Sequence, residues 1–315
     1  MRDRVVALLR QVNRAPETAK RVTKMKPSAD DGTPLAPGLY LVATPIGNLG
    51  DMSLRALSVL RRADVIACED SRVTRKLLSA YGIATPLTPY HDHNAARARP
   101  GLIRRMRDGA AAALVSDAGM PLVSDPGYKL VTAARDAGIA VTAVPGPSAA
   151  VTALVLSGLP CDAFFFAGFA PPRSAARKRA LAALAAVPGS LVFYESAQRL
   201  PDFLADAAEV LGSRPAAVCR ELTKLHEEVA RDTLKALAAR YRAEGPPRGE
   251  IVVVVAPPGA GDAEATEGRL DAALGEALAR QTLRDAVDAV AAETGLPRRR
   301  VYARALELGG RAKDR

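Results

Sequence analysis

The sequence predicts an α/β protein with two α/β domains and a small helical region behind them. Three observations carry this. From Gly38 onward, short apolar runs alternate with segments of helical period, the signature of βαβ units and a largely parallel sheet. Two of those runs end in Gly, Pro, Asn and Asp: Gly38-Leu-Tyr-Leu-Val-Ala43 opens into Thr44-Pro-Ile-Gly-Asn48, and Ala110-Ala-Ala-Ala-Leu-Val115 opens into Ser116-Asp-Ala-Gly-Met-Pro121. These read as buried strands ending in loops, and in open α/β sheets ligands bind outside that edge. Gly158-Leu-Pro160 then breaks the chain, and a second alternation follows.

Taken in order, residues 1–37 form a basic, then Pro/Ser/Asp/Gly-rich extension with no sustained apolar period, expected to be flexible. The first domain spans 38–158. Its strands are predicted at 39–43, 63–67, 111–115 and 140–144, and its helices near 53–62, 71–80, 95–107 and 127–137. A further helix starts after Pro145-Gly-Pro-Ser148, where proline suits an early helical position, and runs to about Ser157. The second domain spans 159–256, with apolar runs at 163–167, 190–194, 216–219 and 251–255 and helices at 174–186, 198–211 and 232–243. Residues 225–231 are expected to add an antiparallel strand. Residues 257–268, opening on Pro257-Pro-Gly-Ala-Gly-Asp262, read as a linker, and 269–315 as short basic helices.

Composition narrows the class without naming a function. A chain of 315 residues, 49% apolar and 25% charged, is ordinary for a globular protein, and no run approaches a membrane span. The N-terminal stretch lacks an uninterrupted apolar segment, so no secretory leader is expected. Cys68, Cys161 and Cys219 are far apart and odd in number, which implies neither a disulfide framework nor a zinc knuckle; a cytoplasmic setting is expected. The net charge of +10 concentrates at the ends: residues 1–26 hold eight Lys/Arg against Asp3 and Glu17, and 296–315 hold seven against Glu307 and Asp314. Basic ends on a mixed-charge body suit a polyanion, nucleic acid before membrane, although solvated tails look the same in sequence.

The loops carry no nucleotide-phosphate signature: both the G-x-x-x-x-G-K-[ST] and the strand-borne G-x-G-x-x-G spacings are absent. Gly146-Pro-Ser148-Ala-Ala150 lacks the second glycine of a hydrolase elbow. Their order is more telling. After the first loop and Asp51 come Ala67-Cys-Glu-Asp-Ser-Arg72, His91-Asp-His-Asn94, Leu114-Val-Ser-Asp-Ala-Gly-Met-Pro121, Asp125-Pro-Gly127, Pro145-Gly-Pro147, Phe193-Tyr-Glu-Ser196, Arg220-Glu-Leu-Thr-Lys224 and Gly249-Glu250. Over residues 38–256 the series resembles the ribosomal small-subunit RNA methyltransferase I family within the tetrapyrrole methylase superfamily. Two departures stand out. Met120 replaces the more usual Thr and loses a hydroxyl, and Ala95 stands where Glu is common.

The resemblance implies two α/β domains of the tetrapyrrole methylase type, S-adenosylmethionine as methyl donor, and 2′-O-methylation of a cytidine in 16S rRNA at the decoding centre. It also implies a donor site in the cleft between the domains, usually in a homodimer. Carried over by position, Pro45, Gly47, Asp117, Gly119, Ser148 and Ala149 would hold the donor from the first domain, and Tyr194 and Ser196 from the second. The donor carries no phosphate, which agrees with the missing phosphate cradles.

Methyl transfer to a ribose hydroxyl requires positioning, and benefits from a proton acceptor or a cation that stabilises the alkoxide. The charged residues of the matched motifs that could do this are Glu69, Asp70, Arg72, Glu195, Arg220, Glu221 and Lys224, with Asp70 the first choice as base and Arg72 and Lys224 as electrostatic or phosphate contacts; the alternative is that Glu69, Asp70 and Arg72 form a structural ion-pair cluster. His91 and His93 stand at i, i+2 with no third ligand, so no metal site is expected. Arg298, Arg299 and Arg300 with Tyr302 follow the helix-start signal Gly295-Leu-Pro297, and read as an RNA contact or as an exposed helix face. Two other functions stay open at this point: a superfamily methylase acting on a tetrapyrrole or another small molecule, and a non-catalytic RNA-binding assembly protein.

Overall fold

The computed structural model describes residues 33–294, 296 and 298–311, so the N-terminal extension up to residue 32 lies outside the described residues. The chain divides into two compact units. Of the described residues, one comprises 33–41, Ser53–Leu114 and Lys129–Val144; the other comprises Val42–Met52, Val115–Tyr128 and those from Pro145 onward. The division does not follow a single cut near residue 158. The segments that follow the strands ending at Val42, Val115 and Val144, including both motif loops, belong to the second unit.

The first unit carries a five-stranded sheet in the order β3-β2-β4-β1-β5, with β1 at Gly38–Val42, β2 at Val65–Cys68, β3 at Leu87–Pro89, β4 at Ala111–Val115 and β5 at Val141–Val144. β1 pairs parallel with β4, and β2 parallel with β3. β2 and β4 are buried at every position, which is why they read as continuous apolar runs rather than alternating ones. Helices α1 (Leu54–Arg62), α2 (Ser71–Ala80), α3 (Ala95–Arg107) and α4 (Tyr128–Asp136) fall where the periodicity predicts. Ser53 caps α1 and Asp70 caps α2, each accepting from a backbone N–H of the first turn. β3 was not expected. It is three residues long and ends on Pro89, which removes both the length and the alternation that mark a strand.

The second unit carries a sheet in the order β6-β7-β10-β8-β9, with β6 at Phe164–Phe169, β7 at Ser190–Ser196, β8 at Pro215–Arg220, β9 at Glu228–Thr233 and β10 at Glu250–Val255. Its pairing is mixed, and the antiparallel strand expected near 225–231 is β9. Only β6–β7 is parallel, whereas β10 runs antiparallel to both β7 and β8, and β9 antiparallel to β8. The helical crossover from β7 to β8 does keep those two strands in one direction. β10, from much later in the chain, inserts between them the other way, and local periodicity cannot register that.

Both faces of this sheet are covered. Ile251, Val253 and Val255 point into a core shared with α6 (Ser174–Leu184), α7 (Leu200–Leu211) and α8 (Leu234–Glu244). Val252 and Val254 point the other way, onto Ala150, Ala153 and Leu154 of α5 (Ala149–Ser157) and onto Ile46 of the first motif loop. A strand buried on both faces reads VVVV, as β10 does. Behind it, α9 (Ala260–Leu278), α10 (Leu283–Thr294) and α11 (Arg298–Arg311) enclose Leu274, Val287, Val290 and Val301. The expected linker is shortened, because α9 begins at Ala260 and carries the helix-forming run Ala263-Glu-Ala-Thr-Glu267. Among the described residues no helix is long and apolar enough to cross a membrane.

Candidate functional site

Three loops of the second unit meet at Gly119. Thr44 and Gly119 exchange both backbone hydrogen bonds, at 2.9 and 3.1 Å, as an isolated antiparallel bridge. The Thr44 hydroxyl donates to the Ser116 carbonyl at 3.2 Å. Gly119 has a φ of +80°, and a Cβ there would stand 3.4 Å from Ile46 Cγ2 and 3.7 Å from the Pro147 carbonyl, so the first, second and third motif loops close on this one glycine. Beyond it the chain takes left-handed conformations at Leu122 and Ser124, residues without the freedom of glycine. Local strain of this kind persists where the surroundings over-determine it, commonly beside ligands.

These loops wall a cavity of about 460 Å³, a size suited to a small organic ligand. Asp117, Ala118, Met120, Ser124 and Asp125 supply one side, Ser148 and Ala149 at the start of α5 another, and Tyr194–Ala197 with Gly249–Val252 the floor. Ser148 occupies the N-cap position of α5 without a side-chain capping bond. Phe169 stands at the rim, its ring centroid 5.6 Å from that of Tyr194 in an edge-to-face contact.

The lining is acidic. Asp117, Asp125, Glu195 and Glu250 line the cavity and no Lys or Arg does. Burial pushes the Asp125 carboxyl up; the Ser116 hydroxyl opposes the shift and Asp117 adds to it. Burial likewise raises Glu195, whose carboxylate accepts from the Ser196 N–H at 2.8 Å and pairs with Arg199 at 3.1 Å. The Tyr194 phenol is pushed up by burial, against the pull of the Ala150 N–H. A half-open, mostly apolar cavity lined by several carboxylates and, among the described residues, by no Lys or Arg disfavours phosphate and suits a ligand that carries positive charge. S-adenosylmethionine, with its sulfonium and ammonium groups, fits these residues.

Six of the eight expected donor residues line this cavity: Asp117, Gly119, Ser148, Ala149, Tyr194 and Ser196. Pro45 and Gly47 do not, and Ile46 between them does. Gly47 instead faces Lys224: a Cβ there would fall 2.5 Å from Lys224 Cγ and 2.9 Å from its Cε. Glu195, a candidate for proton transfer by its motif, lines the cavity as well, and so do Met120, Asp125, Phe169 and Glu250, to which the reading of the sequence assigns no role of their own. Asp125 and Glu250 stood inside quoted motifs, Asp-Pro-Gly and Gly-Glu, so the signal was present but carried no role.

Asp70 and Arg72 lie in the first unit, outside this wall. The Asp70 carboxylate accepts from the Arg72 backbone N–H at 2.8 Å and pairs with its guanidinium at 2.6 Å. The Arg72 side chain, aided by its backbone N–H, pulls Asp70 down to about 2. A carboxylate held that low is a weak proton acceptor.

On α11, Arg298, Arg299, Arg300 and Tyr302 are exposed while Val301 and Ala305 are buried, so the basic cluster occupies the outer face. Arg298 is tied to Asp288 of α10, and Arg304 to Asp271 of α9 at 2.6 Å. Gly295 and Pro297 lie outside the described residues. Among the described residues no group of three or more His, Cys, Asp or Glu is placed to hold a metal ion.

Known proteins share this sequence at length. A family model described as Tetrapyrrole (Corrin/Porphyrin) Methylases matches residues 38–238, and a second, the RsmI C-terminal HTH domain, matches 263–309. A protein of Mesorhizobium japonicum named ribosomal RNA small subunit methyltransferase I is 51% identical over 87% of this chain and 93% of its own length. Another of that name, from Erythrobacter litoralis, is 52% identical over 87% and 96%. Among solved structures, a diphthine synthase aligns at a TM-score of 0.55 with 18% identity, over 69% of this chain and 89% of its own. A cobalt precorrin-4 methyltransferase aligns at 0.53 with 17%, over 69% and 94%. Likeness at that identity speaks for the fold alone.

Proposed function

The chain belongs to the ribosomal RNA small subunit methyltransferase I family of the tetrapyrrole methylases, and from that membership we propose that it methylates the 2′-hydroxyl of a cytidine in 16S rRNA, with S-adenosylmethionine as donor. One observation carries the proposal: about half of all residues are identical to relatives of that name across nearly their whole length. The cation-accepting cavity supports the donor. When bound, the donor supplies an electrophilic methyl group on a sulfonium that leaves as a neutral thioether.

The chain's own residues divide the remaining work. Asp117, Gly119, Ser148, Ala149, Tyr194 and Ser196 hold the donor, with Ile46 closing the slot beside them. Lys224 supplies a fixed positive charge, and Asp70 with Arg72 shapes the start of α2 rather than moving protons. Arg299, Arg300 and Tyr302, on the second helix of the helix-turn-helix pair, contact the RNA backbone and stack. A homodimer is part of the same proposal. It draws on the resemblance and on Phe164 and Phe165, which are exposed on edge strand β6.

The test is transfer of labelled methyl from S-adenosylmethionine to small ribosomal subunits lacking the modification, with the product nucleoside mapped by mass spectrometry. A 2′-O-methylcytidine at one site is the expected result. Donor binding without transfer to subunits or naked rRNA would favour a small-molecule acceptor. An inert cavity with tight RNA binding would favour an assembly factor.

A further inference from the structure

The loop between β8 and β9 bends sharply. Glu221 and Thr223 both adopt left-handed backbone, with φ of 51° and 66°, and neither is glycine. The bend delivers Lys224 into a cluster assembled from distant parts of the chain. Its ammonium donates to Glu221 Oε1 at 2.7 Å and to Glu250 Oε2 at 3.1 Å. Glu221 Oε1 also accepts from the Glu250 backbone N–H at 2.9 Å, which fixes the loop to the start of β10.

Two glycines close on this cluster. Gly47 leaves room for the Lys224 stem, and Gly249 does the same for Glu221, since a Cβ at Gly249 would fall 2.5 Å from Glu221 Cγ, Cδ and Oε1. Among the described residues the Thr223 hydroxyl oxygen beside Gly47 is buried without a hydrogen-bond partner. Glu250 differs from its neighbours. Its side chain is 76% exposed, against 20% for Glu221 and 28% for Lys224, and of the three it alone lines the cavity.

We propose that Glu250 is the proton acceptor for the acceptor hydroxyl, that Lys224 is the cation which stabilises the developing alkoxide, and that Glu221 is the positioning residue which holds Lys224 in place. The inference rests on the methyltransfer reading above. As the hydroxyl oxygen bonds to the methyl carbon, the carbon–sulfur electron pair stays on sulfur. The hydroxyl proton passes to the Glu250 carboxylate, from which solvent removes it. Lys224 does not compete for that proton. Burial would lower its ammonium, but the hydrogen bonds it donates to Glu221 and Glu250 outweigh burial and leave it above the usual lysine value. It stays charged at neutral pH and offers no lone pair. Glu221 is engaged on one oxygen by two donors, and Lys224 followed by the Glu250 N–H pulls its carboxyl below the usual range. That leaves Glu250 as the cluster's carboxylate open to the cavity.

The experiment combines single-turnover methyl transfer to unmodified small subunits with donor binding by calorimetry and RNA binding by filter retention, on the full-length protein. Glu250→Gln is expected to slow transfer at saturating donor by about a hundredfold or more, beyond any loss of donor affinity, with the RNA dissociation constant changed by no more than about twofold. Glu250→Asp, one methylene shorter, should recover about tenfold of that loss. Glu221→Gln should slow transfer by about tenfold while donor affinity stays unchanged, a separation that a purely structural role would not give. Transfer by Glu250→Gln at the wild-type rate would overturn the assignment and leave the methyltransfer reading intact. Weakened RNA binding with an unchanged single-turnover rate at saturation would make the cluster a phosphate contact and overturn it as well. Absence of transfer by the wild type itself would overturn both.

Discussion

Two cation–carboxylate groups, Asp70 with Arg72 and Glu221 with Lys224 and Glu250, are built in different ways. Asp70 and Arg72 are two residues apart and form a local device: the carboxylate caps α2 and clasps the side chain of its second residue, and Arg72 is 84% exposed. Glu221, Lys224 and Glu250 come from a strained loop and a strand start 26 residues beyond the lysine, and meet between two glycines that admit no Cβ without a shift. A pair that any helix start could make needs no further explanation. A convergence held by positive-φ residues and two close-packed glycines does, since such conformations cost about 1–3 kcal/mol each and must be stabilised by something.

The largest effect expected from this contrast is catalytic. Lys224→Met should lower the rate of methyl transfer by about a hundredfold, the scale on which removal of one oxyanion-stabilising group acts. Arg72→Met should leave it within about twofold, as for an exposed pair whose contribution is small. Steady-state transfer to unmodified subunits checks both. Equal losses in the two variants would erase the distinction.

Stability should separate the regions next. Gly249 and Gly82 both have positive φ, at 99° and 63°, yet a Cβ at Gly249 strikes Glu221 while one at Gly82 meets nothing within 4 Å. Gly82→Ala should therefore cost about 1 kcal/mol from backbone conformation alone. Gly249→Ala should cost about 2–4 kcal/mol, because overpacking adds to the same strain, and should slow transfer as well. Urea unfolding of the two variants measures the gap.

Much of this was legible beforehand, for physical reasons that also mark where legibility ended. Strands such as β4 and β10 announce themselves because burial on both faces forces a continuous apolar run. α2 and α3 follow from local periodicity and fall at the expected residues. What stayed hidden was non-local. No window of sequence shows that β10 inserts between β7 and β8, and so none shows that Glu250 comes to face Lys224. Asp125 carries no visible role in the sequence because a carboxylate beside a strand end looks like a solvated loop until burial is known. Asp70 was favoured as a base for the mirror reason: a charged residue at a strand end looks catalytic until its capping bond is seen.

Asp70→Asn tests that last point more gently. Asn caps helices about as well as Asp, so the variant should fold, bind donor and retain transfer within about twofold. A loss of about a hundredfold in transfer would restore Asp70 as the base.

The smallest expected effect is in acid, and it too distinguishes the two groups. A carboxyl whose folded pKa is depressed adds stability above its unfolded pKa and loses it as the pH falls through the folded one. For Asp70, lowered by Arg72 from 3.8 to about 2, the window runs between those values. The stability difference between wild type and Asp70→Asn should hold constant down to about pH 4 and close by about pH 2. Glu221, drawn down from 4.5 by Lys224 and then by the Glu250 N–H, starts higher, so the difference between wild type and Glu221→Gln should begin to close first. Urea midpoints collected from pH 7 downward record both curves. Closure of the Asp70 curve before the Glu221 curve would mean that the exposed local pair holds its carboxylate less firmly than its bidentate geometry implies, and the contrast between the two groups would then rest on the glycines and the strained loop alone.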